Sequence, residues 1–177
     1  MDVNAPVSLV TASYSTRDHA VEDFNAVWSA RNEGEFHHTA IATLTKDADG
    51  SFHVDRNDHT AKYLVWGGAL LGGALFVVEP SVGIEMLSRV GVSGAGAIVG
   101  HLRRNADPAA LARAADVLEH GQWSLVVLVV NRRSAATMML LEHAAELSSI
   151  EMLWGDLEEE LCQDFARPLS GAVLVAM

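Results

Sequence analysis

Hydrophobic and polar positions follow two different periods along the chain. Val7 to Tyr14 is β-branched and apolar and predicts a first strand. Ser15 then stands as a helix cap, with Asp18 three residues on as a capping-box partner. Ala20, Val21, Phe24, Val27 and Trp28 fall at helical spacing and predict one buried stripe, which Gly34 ends. Thr39 to Thr45 predicts a second strand, and Asp47-Ala48-Asp49-Gly50 a turn, because Asp-Gly tolerates positive φ. Ser51-Phe52-His53-Val54 then returns as a short hairpin arm. A hairpin centred on Ala48-Asp49 sets His38 opposite His59.

The pattern changes after His59. Tyr63 to Val78 is an uncharged run of sixteen residues, broken by Glu79-Pro80. A second run rich in small residues, Val90 to Gly100, ends at His101-Leu102-Arg103-Arg104. Asp107-Pro108 is a strong helix start, Asp as N-cap and Pro at the first helical position, and Gly121 stops that helix after His120. Trp123 to Val130 is a continuous apolar run, so this strand is expected to be central and buried on both faces. Ser134 is expected to cap a helix running to about Leu147. Ile150 to Trp154 predicts a strand, Leu157 to Phe165 a last helix, and the apolar tail Gly171 to Met177 a further edge strand.

Setting residues 56–121 aside leaves strand-helix-strand twice, the order of a ferredoxin-like split βαβ fold. The expectation is therefore one α+β domain over residues 1–177, with residues 56–121 inserted as a glycine-rich helical hairpin. Its core would be a four-stranded, mainly antiparallel sheet with helices on one face. The other face would need cover, which points to self-association.

The glycines carry their own signal. Gly68 and Gly72 lie four residues apart, as do Gly96 and Gly100, and small residues at that spacing let two helices approach closely. Sixteen residues span about 24 Å, short of a hydrocarbon core of about 30 Å. Three readings stay open: a membrane span, a hairpin docked on a membrane surface, and packing against other copies or the chain's own domain. For the second, Tyr63 and Trp66 lie beside Arg56, Lys62, Arg103 and Arg104, basic and aromatic anchors that suit an anionic surface. Glu79 and Glu85 at the hairpin tip oppose insertion.

Charge narrows the partners. Twelve Lys and Arg face 23 Asp and Glu, a net charge of −11, which disfavours nucleic acid. The single cysteine, Cys162, stands among acids that raise a thiol pKa, and it forms no internal disulfide. The N-terminus has an acid where a secretory signal needs Lys or Arg, so a cytoplasmic protein is expected, with peripheral contact on the inner membrane face.

Known chemical motifs do not fit. Gly94 to Gly100 misses the dinucleotide fingerprint by one residue. Gly91 to Ala95 lacks the last glycine of a nucleophile elbow. A calcium loop around Asp47, Asp49 and Gly50 would put Thr45 and Arg56 where carboxylates are needed. Glu158-Glu159-Glu160 reads as a solvated helix face. Histidine is the one enriched reactive type, and His38 facing His59 would supply two metal ligands without a third. No catalytic, cofactor or metal residues are assigned.

Trp66 to Val78, Ser93 to Arg103 and Leu118 to Val129, in that order, resemble the bacterial DUF1269 family, predicted membrane proteins of unknown function. The resemblance implies a ferredoxin-like core with a glycine-rich helical insertion, and no catalytic residues. The expected function is a non-enzymatic, self-assembling or membrane-surface module. It would act as a homo-oligomer through Gly68, Gly72, Gly96, Gly100, Tyr63 and Trp66. The alternative is a small-ligand or metal-binding protein that uses the open sheet face and the hairpin histidines.

Overall fold

A computed structural model describes residues 5–33, 38–59, 78, 100, 104–130 and 133–153. The two runs expected to form the glycine-rich hairpin (residues 63–77 and 90–99), the expected last helix and the expected tail strand lie outside the described residues. The described chain is an α+β fold with a five-stranded antiparallel sheet and three helices. Its elements run β1 (Pro6–Tyr14), α1 (Arg17–Asn32), β2 (His38–Lys46), β3 (Phe52–His59), α2 (Pro108–His120), β4 (Trp123–Val130), α3 (Ser134–Met138) and β5 (Glu146–Leu153). The strand order is β3-β2-β4-β1-β5.

The apolar run of β4 sits where its pattern placed it, between β2 and β1, and Leu125 to Val130 are all buried. Alternation splits its side chains between two cores. Val126, Leu128 and Val130 join Val7, Leu9, Ala42 and Leu44 beneath Ala110, Ala114 and Leu118 of α2. Leu125, Val127 and Val129 join Val10, Ala12 and Ile41 beneath Ala20, Phe24, Val27 and Ala30 of α1.

α1 and the α3 region (Met138, Leu140, Leu141) lie on one face, as expected for the core, and α2, from the stretch set aside as an insertion, covers the other. The face expected to need cover is thus covered from within the chain. The fifth strand is a correction. The hairpin arm expected at residues 51–54 continues to His59, because β2 supplies backbone partners along its whole length. The polar sequence Asp55-Arg56-Asn57-Asp58 is what an edge strand tolerates.

Local signals were obeyed unevenly. Asp107 caps α2, its Oδ1 accepting from the Ala109 N–H at 3.0 Å, with Pro108 next. The cap of α1 is Thr16 rather than Ser15: Thr16 keeps an extended backbone and its hydroxyl oxygen accepts from the His19 N–H at 3.4 Å. The Asp47–Gly50 turn forms, with Gly50 at φ 86° and Ser51 donating to Asp49 through both N–H and hydroxyl. Those two donors hold the Asp49 carboxyl below its usual range.

The helix expected from Ser134 to Leu147 ends at Met138. Ser134 does not cap it; its hydroxyl and N–H both donate to Glu151 of β5, at 2.7 and 2.8 Å. These bonds, with Arg133 nearby, lower the Glu151 pKa. Further on, the Ala145 N–H donates to Ser13 O at 2.8 Å, which starts the edge strand β5 where a helix would have continued.

Candidate functional site

Helix α1 packs mainly on β2, β4 and β1. Toward the outer strands a groove of about 520 Å³ remains, lined by Arg17, Asp18, Val21 and Phe24 of the helix and by Thr43, Asp55 and Trp123 of the sheet. That volume lies in the range of small-ligand sites, about 300–1,000 Å³.

Each lining residue has a local cause. In α1 the buried stripe is Ala20, Phe24, Val27 and Ala30, which also encloses Asp23. Val21 and Trp28, expected within the stripe, lie at its margins and are exposed. Val21 thereby borders the groove. In the sheet, the β2–β3 register shifts between Thr43 and Leu44: Leu44 faces Val54 and Thr43 faces Arg56. Asp55 is the extra residue of this bulge and has no opposite number. Bulges re-aim side chains in this way. The Thr45 hydroxyl donates to Asp55 Oδ2 and holds the carboxylate at the groove.

Trp123 opens β4, with Thr45 on one side and Tyr14 on the other. Its ring is partly buried, and the Arg17 guanidinium carbon lies 5.9 Å from its centroid. Among the described residues, the groove thus combines an apolar wall, one cation and two carboxylates.

A second cluster fixes the other side of α1. Asp23 is buried at 1% exposure. Its Oδ2 accepts the His143 backbone N–H at 3.1 Å, and its Oδ1 lies 2.7 Å from His143 Nδ1. His143 Nε2 lies 3.4 Å from Glu22, and its ring centroid 5.1 Å from that of His19. The hydrogen bond to Asp23 raises the His143 pKa above its usual value, against a smaller desolvation effect, and the charges of Asp23, Glu22 and Glu142 add to the rise. Burial, reinforced by the charge of Asp23, pushes the nearby Tyr14 phenol far up, so it stays protonated. Asp23 therefore ties the turn after α3 to α1, and so holds one wall of the groove.

The residues singled out from sequence fare differently. Gly68, Gly72, Gly96, Tyr63 and Trp66 lie outside the described residues. Gly100 is helical and partly buried, and a Cβ there would meet the Arg104 guanidinium at 3.0 Å. The His38–His59 pairing is not formed: His59 faces Ala40, and His38 pairs with Val130 of β4. The five-residue hairpin connection and the bulge together displace the register. Among the described residues, no three His, Cys, Asp or Glu side chains are grouped to hold a metal ion. None of the described helices is long and apolar enough to cross a membrane.

Sequence reasoning missed the groove. Asp55 carried no signal, because a bulge is a property of two strands. Asp23 did carry one, a lone acid within an apolar helical stripe. Comparison with known proteins returns no match to a family model, a curated protein or a solved structure.

Proposed function

We propose that this protein is a small-ligand-binding module whose ligand sits over the sheet in the groove between α1 and β2–β3. The observation that carries the reading is the groove's composition. A single concave site of suitable volume joins Trp123, Phe24 and Val21 to the charges of Arg17, Asp18 and Asp55. Sites of this kind hold a ligand by its apolar body and orient it by a few polar groups. The hairpin-histidine metal site is not part of the proposal.

The test is a fragment screen by ligand-detected NMR on wild type and on Val21→Trp, which fills the groove from an exposed position. Fragments that bind wild type should lose binding to the variant while its melting temperature stays close to wild type. Equal binding to both proteins would refute the reading.

A second reading keeps self-assembly, or attachment to the inner membrane surface of the cytoplasm, through Gly68, Gly72, Gly96 and Gly100 with Tyr63 and Trp66. The four-residue glycine spacing favours it. Replacing Gly68 and Gly72 by Leu should lower the assembly mass by light scattering, or release the protein from vesicles; no change would count against it.

A ferredoxin-like ancestry belongs with these proposals. Without β3 the sheet order is β2-β4-β1-β5, which supports a split βαβ core extended by one edge strand. The resemblance to the DUF1269 family is in keeping with that core.

A further inference from the structure

We infer that the groove takes a small zwitterion of the amino-acid class, with a free ammonium, a free carboxylate and an apolar side chain. The inference rests on the ligand-binding reading and names the ligand's chemistry. Among the described residues, the groove is lined by one cation, Arg17, and two carboxylates, Asp18 and Asp55. A ligand carrying only negative charge would pair with Arg17 and face both acids, within a protein of net charge −11. A ligand carrying only positive charge would meet Arg17 over the Trp123 ring, the place where a cation gains most from an aromatic face. A zwitterion satisfies all three groups.

The geometry allots the ends. A guanidinium over an indole keeps its forked N–H donors for bidentate contact with a carboxylate. The ligand carboxylate therefore goes to Arg17. Asp55 accepts the Thr45 hydroxyl through Oδ2, which leaves Oδ1 for an ammonium, with Asp18 adding its charge from α1. The apolar side chain lies on Val21 and Trp123, the groove's accessible apolar surface.

The test uses the full chain labelled with 5-fluorotryptophan, with the Trp123 fluorine resonance assigned from Trp123→Phe. L-leucine is titrated beside its matched analogues, isoamylamine, which lacks the carboxylate, and 4-methylpentanoate, which lacks the ammonium. Leucine should shift the Trp123 resonance saturably, with each analogue about tenfold weaker or more, since each loses one charge-assisted contact. Arg17→Gln should weaken leucine by a similar factor and leave isoamylamine unchanged or tighter. Either analogue binding as well as leucine would overturn the inference. So would a Trp123 resonance that ignores leucine but moves with uncharged fragments, which leaves the groove reading standing. A Trp123 resonance that no compound moves would overturn both.

Discussion

A Cβ placed on Gly121 would lie 2.8 Å from the Cβ of Ser13 and 2.9 Å from the carbonyl oxygen of Trp123. Gly121 sits at φ −105°, ψ 148°, a conformation open to any residue. Its task is close approach: it lets α2 end directly against β1, so that β4 begins at Trp123. Gly121→Ala should therefore destabilise the fold by about 1–3 kcal/mol through overpacking, despite the lower entropy of the unfolded alanine chain. Urea unfolding of the variant against wild type measures this. A stabilised variant would contradict the packing.

The two helix caps should differ. Asp107 accepts at 3.0 Å and precedes a proline, whereas Thr16 accepts at 3.4 Å. Asp107→Ala should cost about 1 kcal/mol and Thr16→Ala less. The same unfolding assay ranks them, and the reverse order would show that α1 depends more on its cap than its geometry indicates.

Asp23 is the acid whose loss should be felt most. Asp23→Ala leaves the His143 N–H without its acceptor and opens space under α1, a cost of about 1–3 kcal/mol. Asp23→Asn, which keeps an acceptor oxygen for that N–H, should recover part of it. A neutral Asp23→Ala would remove the tie between α1 and the turn after α3.

The pH dependence follows from the raised His143 pKa. The folded state binds the proton more tightly than the unfolded chain, so the contribution is fully present below the ordinary histidine value of about 6.5. It is lost as pH rises through the folded value. Asp23, Glu22 and Glu142 favour the charged ring, His19 lies beside it, and Tyr14 stays neutral. The stability difference between wild type and His143→Gln should shrink from pH 6 to pH 8.5. A difference independent of pH would mean that the histidine ring does not titrate against Asp23.

Much of the fold was legible because single segments decided it. The apolar run of β4, the Asp107-Pro108 start of α2 and the Asp-Gly turn each owe their form to their own residues. The α3 region was not legible, since Ser134 looks like a cap until Glu151, seventeen residues away, accepts both its donors. The groove was hidden for the same reason. Thr45 and Asp55 meet only after the hairpin closes, and Arg17 reaches Trp123 only after α1 crosses the sheet.

The central claim is that the groove between α1 and β2–β3 is where this protein binds. The most direct measurement is amide and indole chemical-shift mapping of the full chain against a library of small charged and uncharged fragments. The account predicts saturable shifts at Arg17, Asp18, Val21, Phe24, Thr43 and Asp55 and at the Trp123 indole, all with one dissociation constant per fragment. Shifts centred on residues 63–100, or no saturable shift within the groove, would contradict it.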